Sequence, residues 1–206
     1  MPDHERQFVY HGVPTVMYHQ EFSLDYFRHE WPPSSPNIVA SFVNCLPETG
    51  PPYDVFKAFA TTMRDLDWRV YGAYGSAPLD EYAAGDISLV PQVGQLMRDS
   101  RIGFHSKVYS DGYGHVIHSW GAVGRPVIGV ESYYRDKLAA PLFQEGVTTF
   151  AIDRHSFDEM TMLIRRLIDD DELHHRMSEA MAARFRQYVS FDADAEAVRR
   201  LMESVA

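Results

Sequence analysis

The sequence predicts an α/β domain built around a parallel sheet. Short apolar runs that suit buried strands alternate with segments of helical periodicity. In addition, residues 101–129 read as a strand, a glycine-rich turn, a helix and a second strand in series. Strands that alternate with helices of this length form a parallel sheet covered on both faces. We therefore expect about six parallel strands flanked by helices, followed by a helical C-terminal tail.

The individual helices and strands are predicted from hydrophobic periodicity and from the glycine and proline residues that interrupt helices and strands. Strands are predicted at residues 12–18, 37–43, 68–74, 101–104, 126–130 and 147–152. Helices are predicted at residues 53–66, 87–97, 136–143, 156–169, 172–189 and 192–204, and directly after the glycine turn. A proline-rich run at residues 31–36 reads as a linker, because proline cannot feed a helix or a central strand. We thus divide the chain into an N-terminal extension or linker, 1–36, and a domain, 37–206.

Composition excludes several classes of protein. Hydrophobic residues make up 45% and charged residues 23% of the 206 residues, as in soluble globular domains. No apolar run is long enough for a transmembrane helix, and no secretory signal is visible. The single cysteine, Cys45, excludes an internal disulfide and fits a reducing cytoplasm, where we expect the protein to lie. The formal net charge of −10 argues against a nucleic-acid partner.

The turn Ser110-Asp111-Gly112-Tyr113-Gly114 is the strongest candidate for a binding site. It delivers backbone N–H groups to the start of a helix, where unpaired donors and the positive end of the helix dipole favour a phosphate. The helix stops at Gly124 and the chain restarts at Pro126, as expected of a sharp helix end. A phosphate or sugar-phosphate site is therefore favoured over a turn without a ligand.

Several side chains around this turn are candidate ligands. His115 lies in the first helical turn and faces the expected phosphates. Lys107 is the nearest candidate cation, although a solvated surface lysine is the default interpretation of this residue. Asp111 also suits a helix N-cap, a role compatible with ligand binding. Tyr74 ends the second predicted strand at the edge where open α/β sheets bind ligands, so it suits stacking on a base or packing at the rim.

Histidines raise the question of a metal. His105, His115 and His118 lie near an aspartate, a set that suits a divalent ion. His118 is followed by a tryptophan on a helix that should pack against the sheet, so a hydrogen-bonded structural role is favoured and no metal site is predicted. His174 and His175 are expected on the solvated face of a late helix.

The glycine turn and its exit have the spacing of a known motif. From about residue 37 onward, the pattern resembles the C-terminal, donor-binding lobe of GT-B-fold glycosyltransferases, in particular the retaining, glycogen-synthase-like group. That group carries Pro-Ser-x-x-Glu-Gly-Phe-Gly, a helix with a second Glu, and then Gly-x-Pro-Val. Without a gap, Ser110, Gly112, Tyr113 and Gly114 match the turn, Asp111 takes the first acidic position, and residues 124–127 match the exit.

The resemblance implies transfer of a sugar from a nucleotide-diphosphate sugar to an unknown acceptor, with no cofactor and no metal. It implies that Asp111, the expected catalytic residue, positions the sugar. The expected donor- and phosphate-binding residues are Lys107, Gly112, Tyr113, Gly114, His115, Ser119 and Tyr74. Ser119 stands where the family has its second Glu, which is associated with the ribose hydroxyls, and it supplies no charge. The basic residues usual after the first strand are not evident in residues 44–50.

Size separates this chain from a complete GT-B enzyme, which has two comparable lobes with the active site between them. We expect an N-terminal lobe missing from this chain, or a partner chain, to supply the acceptor side. The alternative is a non-catalytic nucleotide-sugar-binding module or a regulatory interaction module, which Ser119 and the missing lobe favour. A GT-B-like epimerase is a third reading, and it would be expected to carry additional catalytic carboxylates and histidines in both lobes.

Overall fold

A computed structural model of the protein describes residues 14–43, 51–72, 81–87, 89–109 and 113–205. Within these ranges one sheet has the strand order β3-β2-β1-β4-β5-β6, and every neighbouring pair is parallel. The strands are β1 Ser35–Phe42, β2 Asp67–Tyr71, β3 Ala83–Gly85, β4 Ser100–His105, β5 Val127–Gly129 and β6 Thr149–Ala151. The predicted Rossmann-like parallel sheet is confirmed.

Helices connect the strands and form the end of the chain. They are α1 Pro51–Thr62, α2 Val90–Asp99, α3 His115–Val123, α4 Glu131–Tyr134, α5 Phe157–Asp169, α6 Asp171–Tyr188 and α7 Phe191–Val205, with 3-10 turns at Ala140–Leu142 and Ile152–Arg154. The last three confirm the helical tail, whereas the single helix expected over residues 136–143 is replaced by α4 and a 3-10 turn. None of the helices in the described ranges is long and apolar enough to cross a membrane.

Both faces of the sheet are buried. Because successive strand residues point to opposite faces, Val39 serves one core, and its neighbours Ile38 and Ala40 serve the other. On the first face, strand residues pack against α1, α5 and the start of α6: Val39, Val70, Ile102, Phe104, Ile128 and Phe150. On the second face, Ile38, Ala40, Phe42, Tyr71 and Val127 pack against residues of α2, α3 and α6. This two-sided burial explains why the strands read as continuous apolar runs.

The sixth strand is not the one that the sequence predicts. Residues 14–18, the described part of the strand expected at 12–18, carry no strand. The sixth strand of the sheet is instead β3, an outer strand that pairs with β2 and places Ala83 opposite Val70. Its three residues, Ala83, Ala84 and Gly85, are small and not buried, so they carry no apolar signal.

The segment before β1 lies against the C-terminal helices. The ring of Phe22 contacts those of Phe27 at 5.0 Å, Phe191 at 5.4 Å and Phe185 at 6.0 Å between centroids. Trp31, which precedes a cis peptide bond to Pro32, stacks on His175 of α6 at 4.5 Å. Phe22 and Trp31, within the described residues 14–34, therefore pack on the domain, and the proposed division of the chain at residue 36 stays a prediction.

Two buried arginines tie helix ends together at the amino end of β4. Arg125 is 0% exposed, and its guanidinium donates to the carbonyl oxygens of Arg98, Ser100, Val123 and Gly124. Burial lowers the pKa of Arg125 to about 10. Arg101 donates to the carbonyls of Leu167 and Ile168, and to Asp171 Oδ1 at 2.7 Å. The carbonyls at the C-terminal ends of α2, α3 and α5 thus obtain donors that the helices themselves lack.

His174 on α6 is fully buried, so the expectation that it is solvated is wrong. Its Nε2 lies 2.7 Å from the carbonyl oxygen of Arg101, and its ring contacts that of Trp31 at 5.0 Å. Burial, together with the charge of Arg101, lowers the pKa of His174 to about 3. The side chain of His175 is 49% exposed, so His175 agrees better than His174 with the solvated position that the sequence predicts.

The outer edge of β6 is covered by the chain that leads into it. The N–H of Gly146 donates to the carbonyl of Thr149 at 2.9 Å, and that of Ala151 donates to Glu145 Oε2 at 2.9 Å. The second oxygen of Glu145 pairs with His155 Nε2 at 2.8 Å. The backbone donor of this outer strand is therefore occupied by a side chain of the same molecule.

Candidate functional site

The candidate site lies where β4 ends and α3 begins. β4 ends at His105, and α3 begins at His115. Because all strands are parallel, the carboxyl ends of β1, β4, β5 and β6 share this edge, which is where open α/β sheets bind ligands. Ser110, Asp111 and Gly112 of the turn, and also Tyr74, lie outside the described residues, so their roles stay predictions.

Gly114 is the first site residue that the structure describes in detail. It adopts a left-handed conformation, with φ of 97°, at the N-cap position of α3. A Cβ at this position would lie 2.5 Å from Ala139 Cβ and 3.1 Å from Tyr134 Cε1. Only glycine fits here, and glycine has no side chain to cap the first N–H groups of α3. The backbone can therefore come close to a ligand at the start of this helix.

Tyr113 and Gly114, the described residues of the turn, contact the segment between α4 and the following 3-10 turn. The N–H of Ala139 donates to the carbonyl of Tyr113 at 3.1 Å. Tyr134 is fully buried, and its ring stacks on that of Phe143 at 5.0 Å between centroids. This packing holds Tyr134 in place next to Gly114. Tyr113 and Gly114 are thus held against the segment that follows β5 and α4.

Tyr113 and His115 lie in contact at the start of α3, and their predicted role in a donor site stays a prediction. Tyr113 Oη lies 2.8 Å from His115 Nδ1 and donates to Gln20 Oε1 at 3.1 Å. The ring of Phe22 meets that of His115 edge-to-face at 5.6 Å. Gln20 and Phe22 were not predicted, because they lie in the N-terminal segment, 93 residues from Tyr113 in the case of Gln20, with no motif to connect them.

His118 and Ser119 lie on the buried side of α3. His118 is 1% exposed, and its Nδ1 lies 2.8 Å from the Gly114 carbonyl, which also accepts from the His118 N–H at 3.0 Å. This confirms the structural role expected of His118. Ser119 Oγ donates to the carbonyl of His115 at 3.1 Å, a bond common for serine inside a helix. Its role toward a ribose stays a prediction.

Lys107 precedes the turn and is only 8% exposed. Its Nζ lies 5.4 Å from the centroid of the Tyr109 ring, within range of a cation–π interaction. Next to it, Ser106 Oγ donates to the carbonyl of Pro52 at 2.7 Å, which ties the end of β4 to the start of α1. Lys107 is therefore not a solvated surface lysine, and its role as a phosphate ligand stays a prediction.

The neighbouring strand ends are joined through Asp153. Its carboxylate accepts from the N–H groups of Glu131 at 2.9 Å and Ser132 at 2.8 Å, the first residues of α4. Burial opposes ionisation of Asp153, but hydrogen bonds from Ser132 and from the backbone outweigh it and lower its pKa. The two hydrogen bonds to Asp153 hold the loop after β5 against the loop after β6. They lie on the β5 side of the candidate site.

The described residues show no group of three or more histidine, cysteine, aspartate or glutamate side chains arranged to hold a metal ion. Among the histidines considered for such a site, His115 pairs with Tyr113 and His118 with a backbone carbonyl. Both of these Nδ1 atoms are thus engaged by the protein itself.

The strand order of the sheet and the helices that cover it define the fold. The chain has the fold of one lobe of a GT-B glycosyltransferase: a Rossmann-like sheet, with Gly114 at the start of the helix after β4. The resemblance to the C-terminal lobe that the sequence indicates is therefore confirmed at the level of the fold.

Solved structures with this fold include glycosyltransferases. Anabaena HepE, solved with UDP and glucose, is 16% identical, with a TM-score of 0.72 over 97% of this chain and 60% of HepE. TarM of S. aureus is 14% identical, with a TM-score of 0.72 over 98% of this chain and 42% of TarM. Sucrose-phosphate synthase of Thermosynechococcus elongatus is 14% identical, with a TM-score of 0.72 over 100% of this chain and 57% of the synthase.

At these identities the similarity shows the fold alone. The chain spans between 42% and 60% of the length of these three proteins. No protein-family model matches the chain, and no curated protein matches it at a significant level.

Proposed function

We propose that this protein binds a nucleotide-diphosphate sugar at the turn before α3 and supplies the donor half of a glycosyltransferase active site. The observation that carries the proposal is Gly114, a left-handed glycine wedged against Ala139 at the start of a helix at the carboxyl edge of the sheet. The start of a helix directs its first backbone N–H groups toward an anion. The UDP and UDP-glucose complexes of HepE, which has the same fold, support a nucleotide-sugar ligand.

In the proposed reaction, the N-terminus of α3 stabilises the negative charge that develops on the leaving diphosphate. Lys107 and His115 add positive charge or hydrogen-bond donors to the same group. Asp111 positions the transferred sugar, Ser119 contributes to the ribose site, and Tyr74 stacks on the base. As in the group that the sequence resembles, the anomeric configuration would be retained and neither a metal nor a cofactor would be needed.

The acceptor side requires a second lobe, in the same polypeptide or in a partner chain. We infer this because HepE, TarM and sucrose-phosphate synthase are each much longer than the region that this chain matches. We propose that this lobe closes over the carboxyl edge of the sheet and brings the unknown acceptor to the sugar. A cytoplasmic location fits this function and stays a prediction.

A second candidate is a non-catalytic nucleotide-sugar-binding or regulatory module. The observation that favours it is Ser119, which takes the place of an acid, is buried, and donates to the carbonyl of His115. A donor site without the second carboxylate retains phosphate binding but loses a charged contact to the sugar nucleotide. An enzyme would release free sugar from a bound donor, whereas a binding module would not. Measurement of free sugar therefore distinguishes the two functions.

Calorimetric titration of the chain with UDP, GDP, ADP and their sugar conjugates tests donor binding. We expect one diphosphate series to bind saturably and to lose about 10- to 100-fold in affinity in Lys107→Ala, the loss typical of one charge-assisted hydrogen bond. Asp111→Ala should weaken the sugar conjugate more than the free diphosphate. Lys57→Ala is the matched control, since Lys57 Nζ also lies over a tyrosine ring, at 5.7 Å, but on the exposed side of α1. A folded chain that binds none of these ligands contradicts the proposal.

A further inference from the structure

The N-terminal segment, residues 14–34, contacts both ends of α3. At the start of the helix, Gln20 and Phe22 contact two residues of the candidate site. At the other end, His29 lies against Gly124, the left-handed glycine that caps α3, and a Cβ at Gly124 would overlap the His29 ring. The segment therefore reaches from the candidate site to the opposite end of the same helix.

Both ring nitrogens of His29 face hydrogen-bond acceptors. Nδ1 lies 3.1 Å from the carbonyl oxygen of Val123, and Nε2 lies 2.9 Å from Oε1 of Glu179 on α6. The hydrogen bond from His29 lowers the pKa of Glu179, so this carboxylate is ionised near neutral pH and can only accept. A neutral imidazole carries one N–H, whereas an imidazolium carries two. Only protonated His29 can therefore donate to both partners.

Charged groups of both signs surround His29. Glu179 and the carbonyl end of α3 favour a positive charge on its ring, because the helix dipole is negative at the C-terminus. Arg125 opposes this charge, since its guanidinium donates to the same Val123 carbonyl at 3.4 Å. His175 also reaches Glu179, with 3.6 Å between its Nε2 and Oε1. The more distant charged groups are Arg28, Glu30, Arg98 and Arg186. Because Glu179 is the charged group that bonds His29 directly, it sets the sign of the effect.

We propose that the attachment of the N-terminal segment to α3 and α6 depends on pH, and that protonated His29 fastens it. Below about pH 6.5, where an ordinary imidazole takes up its second proton, the ring makes both bonds. As the pH rises through this value, the ring gives up one proton and one of the two bonds is lost. The segment then loosens, and Gln20 and Phe22 are held less firmly at the start of α3. This inference does not require that the site binds a nucleotide sugar, so it goes beyond the proposed function.

Other contacts of the segment persist when His29 is neutral. The backbone N–H and Nδ1 of His19 bond Asp194 Oδ2 of α7 at 3.0 Å and 2.8 Å, and a neutral ring with its proton on Nδ1 suffices for this. Arg98 stays charged and donates to the carbonyl oxygen of Tyr26. The loosening at high pH is therefore local, and it is largest close to His29.

Amide hydrogen exchange at about pH 6 and about pH 8 tests the inference. The reporters are the N–H groups of Tyr26 and Phe27, which donate to the Ser23 carbonyl at 3.1 Å and 3.3 Å. We expect their protection factors, corrected for the intrinsic effect of pH on exchange, to fall about tenfold, the loss typical of one charge-assisted hydrogen bond. The N–H of Gly103 in β4 reports global unfolding and should keep its protection. Unchanged protection of Tyr26 and Phe27 overturns the inference.

Glu179→Gln separates the proton from the contact itself. Glutamine offers an N–H to Nε2, so that neutral His29 donates from Nδ1 to Val123 and accepts at Nε2. Protection of the reporters should then be as high at the higher pH as at the lower one. Glu203→Gln, the same change at an exposed position of α7, is the matched control and should show the tenfold fall of wild type. An equal fall in wild type and Glu179→Gln overturns the inference.

His29→Gln removes the titrating ring. Its protection factors should be the same at both pH values and close to those of wild type at the higher pH. A fall that persists in His29→Gln would come from another group, such as His175, and would overturn the inference. Because His29 and Glu179 lie outside the candidate site, titration with UDP is a separate measurement. Failure to bind UDP, GDP or ADP contradicts the proposed function and leaves this inference standing.

Discussion

A Cβ placed on Gly114 would lie 2.5 Å from the Cβ of Ala139. The two residues meet because the chain after α4 folds back under the turn and donates from Ala139 N–H to the carbonyl of Tyr113. Two separate restrictions, a left-handed backbone and a closed space, therefore act on the residue at the start of α3. Glycine is therefore required at this position for structural reasons, whether or not a ligand binds.

Gly114→Ala is expected to lower the free energy of unfolding by about 2–5 kcal/mol and to abolish diphosphate binding. Left-handed backbone costs a residue with a side chain about 1–2 kcal/mol, and an overpacked methyl group adds about 1–3 kcal/mol. Gly146→Ala isolates the first contribution, since Gly146 has φ of +70° and nothing within 4 Å of an added Cβ. Urea denaturation of both variants measures the difference, and equal losses would argue against the contact with Ala139.

The stability of the protein should fall as the pH drops below about 6.5, in part because of His174. Its pKa is about 3 in the folded protein, against 6.5 as the ordinary value. Between these values the unfolded chain binds the proton more readily, so each pH unit of acidification costs the folded state about 1.4 kcal/mol. Above pH 6.5 the residue is neutral in both states and contributes no pH dependence.

His174→Gln should flatten the acid side of the stability curve. Glutamine retains an N–H to donate to the Arg101 carbonyl but does not titrate in this range. His175→Gln, one residue further on the same helix and half exposed, is the matched control and should keep the slope of wild type. Denaturant unfolding between pH 4 and pH 7 gives the comparison, and parallel curves for wild type and His174→Gln would refute this origin of the slope.

Arg125→Met is expected to cost at least about 3 kcal/mol of stability. Methionine fills a similar volume, but the change removes the guanidinium from the carbonyls of Arg98 and Ser100, and a buried carbonyl left without a donor costs about 1–3 kcal/mol. Arg125→Lys should not restore wild-type stability, because one ammonium cannot reach the carbonyls that the planar guanidinium serves. Arg176→Met, at an exposed position of α6, is the control and should change the unfolding midpoint little. A similar small effect of Arg125→Met would show that water replaces the lost donors.

Much of the fold could be predicted from the sequence because its strands are buried on both faces. Five of the six strands, β1, β2 and β4 to β6, coincide with apolar runs, and the last three helices with clear periodicity. The outer strand β3 could not be found, since its pairing is set by β2 and not by apolar residues of its own. Residues 14–18, the described part of the strand expected at 12–18, carry no strand, and the backbone N–H of the next residue, His19, bonds Asp194 of α7.

The site could be predicted only as far as its local motif. His118 has the structural role that the sequence suggests, because it bonds the Gly114 carbonyl four residues away on its own helix. Gln20 escaped prediction because its partner, Tyr113, is distant in sequence. Arg125 and His174 also escaped it, since a polar residue in a sequence gives no sign that carbonyl groups or a tryptophan will enclose it.

Glu145 also bears on how separate molecules of this protein behave toward one another. The outer strand of a sheet is a template on which another chain can add a strand, and this is a common beginning of aggregation. Here the carboxylate of Glu145 occupies the Ala151 N–H, and the Gly146 N–H occupies the Thr149 carbonyl. A foreign strand would have to displace both bonds and approach a negative charge. The β6 side of the sheet is thereby closed to intermolecular strand addition.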